Sequence, residues 1–187
     1  MAVTLIDPRT ALIVIDLQNG VVSLPTVHPV PEIVKQASAL ADAFRRHGLP
    51  VVLVNAVGAA PGRAEQVRTF GEFPAGWTDL VPELNQQPED HMVTKRTWGA
   101  FTNTDLDEHL RKQRVTQVVI AGIATSFGVE STARQAHEHG FNVTLAVDAM
   151  TDRSLDAHIN SITRIFPRLG ETGTTREIID LLDKRGV

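Results

Sequence analysis

Asp16, Lys95 and the short run ending at Gly128 are the places where this sequence has the means to do chemistry. An acid, a cationic partner and a row of backbone N–H groups at a helix start suit hydrolysis. The acid moves a proton while the ammonium and the amides steady the charge that develops. Asp16 closes an apolar run and is followed by Leu17-Gln18-Asn19. Lys95-Arg96 closes a second, and a third runs out as Ala121-Gly-Ile-Ala124-Thr125-Ser-Phe-Gly128. Taken singly these residues have blander readings, because a strand-end aspartate often serves a loop and most lysines are solvated. Their shared position at strand ends is what groups them, since ligands of an open parallel sheet bind outside its carboxyl edge.

The elements that must position them are legible from hydrophobic pattern. Short Val- and Ile-rich runs bounded by turn residues at 11–16, 50–56, 92–94, 116–122 and 142–148 read as buried strands. Between them lie helical patterns. Pro31 opens one, Val34, Ala37, Ala41 and Phe44 form its stripe, and Gly48 stops it. Thr104 with Asp107 resembles a capping box ahead of Leu106 and Leu110. A further helix starts near Gly128, with Val129, Thr132, Ala133 and Ala136 on one face and Gly140 as its stop. Two more are expected over 154–165 and 175–184. Strand–helix alternation predicts a three-layer α/β/α sandwich around a mainly parallel, doubly wound, Rossmann-like sheet of about six strands. The stretch 58–88 resists this pattern, with Pro61, Gly62, Gly71, Pro74, Gly76, Pro82 and Pro88. It reads either as a lid or rim anchored by Phe73 and Trp77 or as a loop packed on the surface.

Bulk composition narrows the function classes. A length of 187 residues suits one domain over 1–187. A net charge of −4 gives no reason to expect nucleic acid or an acidic membrane as partner. The chain has no Cys, which excludes disulfides, thiolate metal sites and thiol nucleophiles. No signal-peptide pattern opens the sequence and the longest apolar runs are too short to span a bilayer, so a cytoplasmic location is expected. None of the seven histidines is spaced with an acid as metal ligands would be, and His137 and His139 point in different directions on one helix. No metal and no cofactor is expected. A dinucleotide role is set aside because no Gly-x-Gly-x-x-Gly follows a strand.

Three segments together carry a resemblance. Ala11-Leu-Ile-Val-Ile-Asp16-Leu-Gln18-Asn looks like the opening motif of the isochorismatase-like hydrolases. Lys95-Arg-Thr-Trp98-Gly-Ala-Phe101-Thr-Asn-Thr104-Asp-Leu106 resembles their lysine segment. Gly122-Ile-Ala-Thr125-Ser-Phe-Gly128-Val-Glu130-Ser-Thr132-Ala133 resembles their nucleophile segment, followed by Gly140 and Val147-Asp148-Ala149. The resemblance runs in order over nearly the whole chain. It implies a small-molecule substrate, with Asp16, Lys95 and Gly128 catalytic and Gln18, Ala124, Thr125, Trp98 and Phe101 lining the substrate. It also implies a cis peptide at Ile123–Ala124, with the Ala124 and Gly128 amides aimed at one point, and assembly as a homodimer or homotetramer. The apolar tail around Ile178 and Leu182 and the stretch 162–169 could serve either core or interface.

The departures from the family pattern are as informative. In the thiol-using branch a Cys stands at the Gly128 position and attacks the carbonyl while the Asp acts as base; Gly128 has nothing to attack with. True isochorismatases also carry Gly there, and the mechanism they imply is proton delivery by the Asp to a vinyl ether, with water capturing the cation. Their Lys-Trp-Arg-Tyr-Ser-Ala-Phe segment is altered here, with Thr97 for the Arg and Gly99 for the Ser. Ala124 and Thr125 replace an aromatic residue and a His. Loss of a carboxylate-gripping Arg matters for a dianionic substrate; Arg63, Arg68 and Arg96 each read either as a compensating group or, at least as readily, as a solvated surface arginine. Burial raises the pKa of Asp16 whereas Lys95 lowers it, and the sequence does not give the sign of the sum. Three functions compete: a thiol-free, metal-free hydrolase, a serine hydrolase using Ser126, and a ligand-binding protein that has lost its nucleophile. Ser126 lies two residues before the nucleophile position and outside any Gly-x-Ser-x-Gly. The retained Asp16 and Lys95 favour the first.

Overall fold

A computed structural model describes residues 3–65 and 73–186; Arg68 lies outside them. Six strands, β1 (Thr10–Ile15), β2 (Val51–Ala56), β3 (His91–Lys95), β4 (Gln117–Ile123), β5 (Asn142–Thr151) and β6 (Glu171–Gly173), pair in parallel in the order β3-β2-β1-β4-β5-β6. The helices between them are α1 (Asn19–Val22), α2 (Val30–Arg46), α3 (Leu106–Lys112), α4 (Glu130–Glu138), α5 (Leu155–Asn160), α6 (Phe166–Leu169) and α7 (Thr175–Asp183). Strand order reverses between β1 and β4, so a crevice opens beyond the carboxyl ends of these two strands.

Side-chain alternation along β1 builds both layers. Leu12 and Val14 join a core with Ile33, Ala37, Leu40 and Phe44 of α2 and Ile178 and Leu182 of α7. Ala11, Ile13 and Ile15 face the other way, onto Leu106 and Leu110 of α3, Ala133 and Ala136 of α4, and Phe166. Both cores are buried, which fixes the strand register because a one-residue slip would send each set of side chains into the opposite core. Among the described residues no helix is long and apolar enough to cross a membrane.

Local differences from the sequence pattern have physical causes. The Thr104–Asp107 capping box does not form: Thr104 Oγ1 donates to the Ala100 carbonyl at 2.6 Å, and Asp105 becomes the N-cap with no side-chain cap bond. The helix expected from Gly128 begins as a π-helical turn, Thr125–Val129, before α4 takes over. The one over 154–165 is broken in the same way, by a π turn at Ser161–Ile165. β5 runs to Thr151 rather than stopping at 148, because the pairing of β4 with β5 shifts between Ile120 and Gly122. β6 was too short to register as an apolar run.

Candidate active site

Asp16 follows β1 in a left-handed backbone conformation, φ 52°. For a non-glycine residue this costs about 1–3 kcal/mol, and such strain concentrates at functional positions. Its N–H donates to the Val54 carbonyl at 2.9 Å, which closes β1 against β2. On the other side, Gly122 of β4 sits opposite Ile15. A Cβ at Gly122 would lie 2.0 Å from the Ile15 carbonyl oxygen, so only glycine permits β4 to approach there.

Lys95 ends β3, two strands from β1, and its side chain crosses the end of β2. Its Nζ donates to Asp16 Oδ2 at 2.7 Å and to the Thr97 carbonyl at 3.2 Å. Both side chains are buried, Lys95 at 3% and Asp16 at 10% exposure. Asp16 Oδ1 is enclosed and, among the described residues, has no hydrogen-bond partner. Burial pushes the Asp16 carboxyl up to about 6, and the Lys95 ammonium only partly counters it.

Gly128 faces the same carboxylate. A Cβ built on it would lie 3.3 Å from Asp16 Oδ2, 2.8 Å from Ile15 Cγ2 and 3.6 Å from the Trp98 carbonyl oxygen. Gly128 is therefore next to the Asp16–Lys95 pair, and Ile15 already fills part of the space a side chain there would take. The Ile123–Ala124 peptide is cis. The π turn after it is held by Asp152, whose Oδ2 accepts from Ser126 N at 2.7 Å and Ser126 Oγ at 2.8 Å. Thr132 ties this turn to the lysine segment: its hydroxyl donates to the Gly128 carbonyl at 2.7 Å and accepts from Ala100 N at 3.1 Å. Gly99 passes so close to Gln135 that a Cβ would fall 2.1 Å from its side-chain oxygen. Three segments distant in sequence thus meet around the Asp16 carboxylate.

The other expected site residues divide. Trp98 is 59% exposed and meets the half-exposed Phe127 edge to face, with ring centroids 4.9 Å apart. Ala124 is half-buried at the start of the turn. Gln18, expected beside the substrate, is fully buried. Its Oε1 accepts from Ala56 N at 2.7 Å and its Nε2 donates to the Ala56 carbonyl at 3.0 Å, so the amide is spent on the end of β2. Thr125 is also fully buried, with its hydroxyl on His158. Phe101, expected at the substrate, lies in the core against Phe141 and the His139 ring. Arg63 and Arg96 are exposed.

The segment before β3 is pinned beside Asp16. Gly20 N donates to the Trp77 carbonyl and Asn19 N to the Asp79 carbonyl, each at 2.9 Å, and Val81 N donates to the Leu17 carbonyl. The Trp77 indole covers Gly20, where a Cβ would fall 1.9 Å from the ring, and Phe73 stacks on Trp77 at 4.2 Å. Asp152 went unnoticed in the sequence. The criterion that selects Asp16, an acid at a strand's carboxyl end, applies to it equally once β5 is seen to reach Thr151. Among the described residues no group of three or more His, Asp and Glu is placed to hold a metal ion.

This fold is that of a known hydrolase-containing family. The Isochorismatase domain matches residues 10–177. The uncharacterized isochorismatase family protein YwoC of Bacillus subtilis is 40% identical over 179 residues, covering 92% of this chain and 93% of that protein. Nicotinamidase 3 of Arabidopsis thaliana is 31% identical over 81% of this chain and 79% of its own length. An isochorismatase family protein of Burkholderia thailandensis superposes with a TM-score of 0.92 at 40% identity, covering 96% of this chain and 98% of its own. The chain belongs to the isochorismatase family.

Proposed function

We propose that this chain is a hydrolase of small molecules that works without a covalent enzyme intermediate, with Asp16 as its proton donor and acceptor. The observation that carries this is the asymmetry of the Asp16 carboxyl. Oδ2 is held by Lys95, Oδ1 is enclosed with no partner among the described residues, and burial pushes the group up to about 6.

In the proposed cycle the acid form gives its proton to the substrate at a polarised C–O or C–N group. Water adds to the resulting cation and the proton it sheds returns to the carboxylate; the adduct then collapses, its C–O or C–N bond breaking as the new hydroxyl's proton passes to the departing oxygen or nitrogen. A pKa near the working pH suits a group that must give and retake a proton. Lys95 keeps the carboxylate oriented and stabilises it once deprotonated. The backbone amides near Gly128 steady negative charge on the substrate: among the described residues, the Gly128 N–H makes no bond to a carbonyl outside its own turn. The exposed Trp98 and Phe127 rings beside Gly128 favour a planar, unsaturated substrate, which stacks on aromatic faces.

The test is a screen of the purified protein against isochorismate, other enol ethers and a panel of small amides, run beside Asp16→Asn and Lys95→Met. Turnover that vanishes in both variants supports the reading. Turnover that survives Asp16→Asn, or tight binding of these compounds with no turnover, overturns it.

A further inference from the structure

Beside the π turn, four residues that no part of the Asp16 chemistry uses meet from four elements. His28 belongs to the segment 23–29 between α1 and α2. Thr151 ends β5, His158 lies on α5, and Thr125 opens the turn that carries Gly128. The two imidazole rings touch, with centroids 4.7 Å apart and planes tilted by 56°. Each ring is pinned at Nδ1 by a hydroxyl: His28 to Thr151 Oγ1 at 3.0 Å and His158 to Thr125 Oγ1 at 2.8 Å. The backbone of the same segment is fastened alongside. Val27 N donates to the Asp152 carbonyl at 2.8 Å and His28 N to Thr151 Oγ1 at 3.2 Å. The ring contact therefore joins a surface segment to the first residue of the turn.

The groups around His158 make its charging unfavourable. Just past the end of β5 lies Asp152, whose two oxygens are already engaged by Ser126, by Arg153 N and by Ser154 N. The π turn offers only the neutral Thr125 and Ser126. Segment 23–29 offers His28, itself a cation once protonated. On α5, Asp156 lies exposed in the first turn, and Glu130 of α4 is occupied by Ser161 Oγ and Arg134. Two imidazolium rings in contact repel strongly where water is scarce.

We propose that His28 and His158 form a proton-operated latch, which when neutral seats segment 23–29 on the end of β5 and on Thr125, and which releases that segment when protonated. Burial, followed by the proximity of His28, holds His158 below the ordinary histidine range, with Asp152 opposing. As pH falls, the unfolded or unlatched chain therefore takes up the proton first. The latch's contribution is complete above the ordinary histidine value of 6.5 and is lost as pH falls below it.

The experiment is amide hydrogen exchange on the full chain, read at Val27 as a protection factor corrected for intrinsic rate, from about pH 7.5 to about pH 5. In the wild type the Val27 protection factor is expected to drop by about tenfold or more over that interval. His28→Gln, which keeps a polar head without a titrating ring, is expected to abolish the pH dependence, as is His158→Gln. His28 is half-exposed, so its variant remains informative even if replacing the buried His158 impairs folding. Equal protection at both pH values in the wild type, or a drop that persists in His28→Gln, overturns the latch.

Discussion

Lys95 Nζ lies 2.7 Å from Asp16 Oδ2, yet the Asp16 carboxyl titrates near 6 rather than well below 4. A lone ion pair lowers an aspartate's pKa, so the fold must tax the charged form more than the ammonium rewards it. The source is visible in the missing partner of Oδ1 and in the dry flank made by Ile15. The pair is thus poised between ionised and neutral, which a purely structural salt bridge has no need to be.

The first prediction concerns that titration. Carbon-13 spectra of aspartate-labelled protein should show the Asp16 carboxyl with a midpoint about 6, above the ordinary aspartate value of 3.8. The folded chain then holds a proton that the unfolded chain has released between 3.8 and about 6. Asp16 therefore contributes increasing stability as pH falls through this window and is a cost above it. Asn tolerates the left-handed backbone and keeps an acceptor for Lys95. Relative to Asp16→Asn, the wild type should gain in Tm between about pH 7 and about pH 4. A Tm difference that is flat with pH would place the titrating group elsewhere.

Removing the ammonium should move the same group further. With Lys95→Met the coulombic and hydrogen-bonding influences that lower the Asp16 pKa are gone while its burial stays. Its midpoint should rise above 6, read in the same spectra. A fall would mean that water floods the cleft when the lysine is lost.

Gly128 should resist even a methyl group. The 2.8 Å approach of a Cβ to Ile15 Cγ2 cannot be relieved by a flexible chain end, because Ile15 is β-branched and fully buried. Gly128→Ala is expected to cost about 1–3 kcal/mol, measured by urea denaturation, and Gly128→Cys at least as much. An Ala variant of undiminished stability would show that Ile15 yields freely. Gly128→Cys carries the only thiol in the chain. Amidase activity gained by it would show that the cleft can also serve covalent chemistry.

Gln18 is expected to matter through the rim rather than through substrate contact. Gln18→Leu leaves the Ala56 N–H and carbonyl without their side-chain partner, which should cost about 1–3 kcal/mol. Exchange of the Ala56 amide should accelerate at the same time. A variant with normal stability but a raised KM would instead assign Gln18 to the substrate.

The periodic part of the molecule was readable without coordinates. The unbroken apolar run 11–15 can be buried on both faces only inside a parallel sheet between two helix layers, and the stripe from Val34 to Phe44 can be buried only as a helix. Strand ends follow from this, and with them Asp16 and Lys95 as the pair to watch. The chain's lack of cysteine likewise settled that no thiol attacks here. What the sequence left open were quantities that depend on distance and on enclosure. The direction of the Asp16 shift is a balance between the 2.7 Å to Lys95 and the loss of water around the carboxyl. Gln18 and Thr125 look like ligand-facing polar residues until their hydrogen bonds are found spent on Ala56 and His158. The meeting of His28 with His158 is written in no local pattern, because a parallel sheet joins residues far apart in the chain and its crossovers leave no periodic trace of which loops will touch.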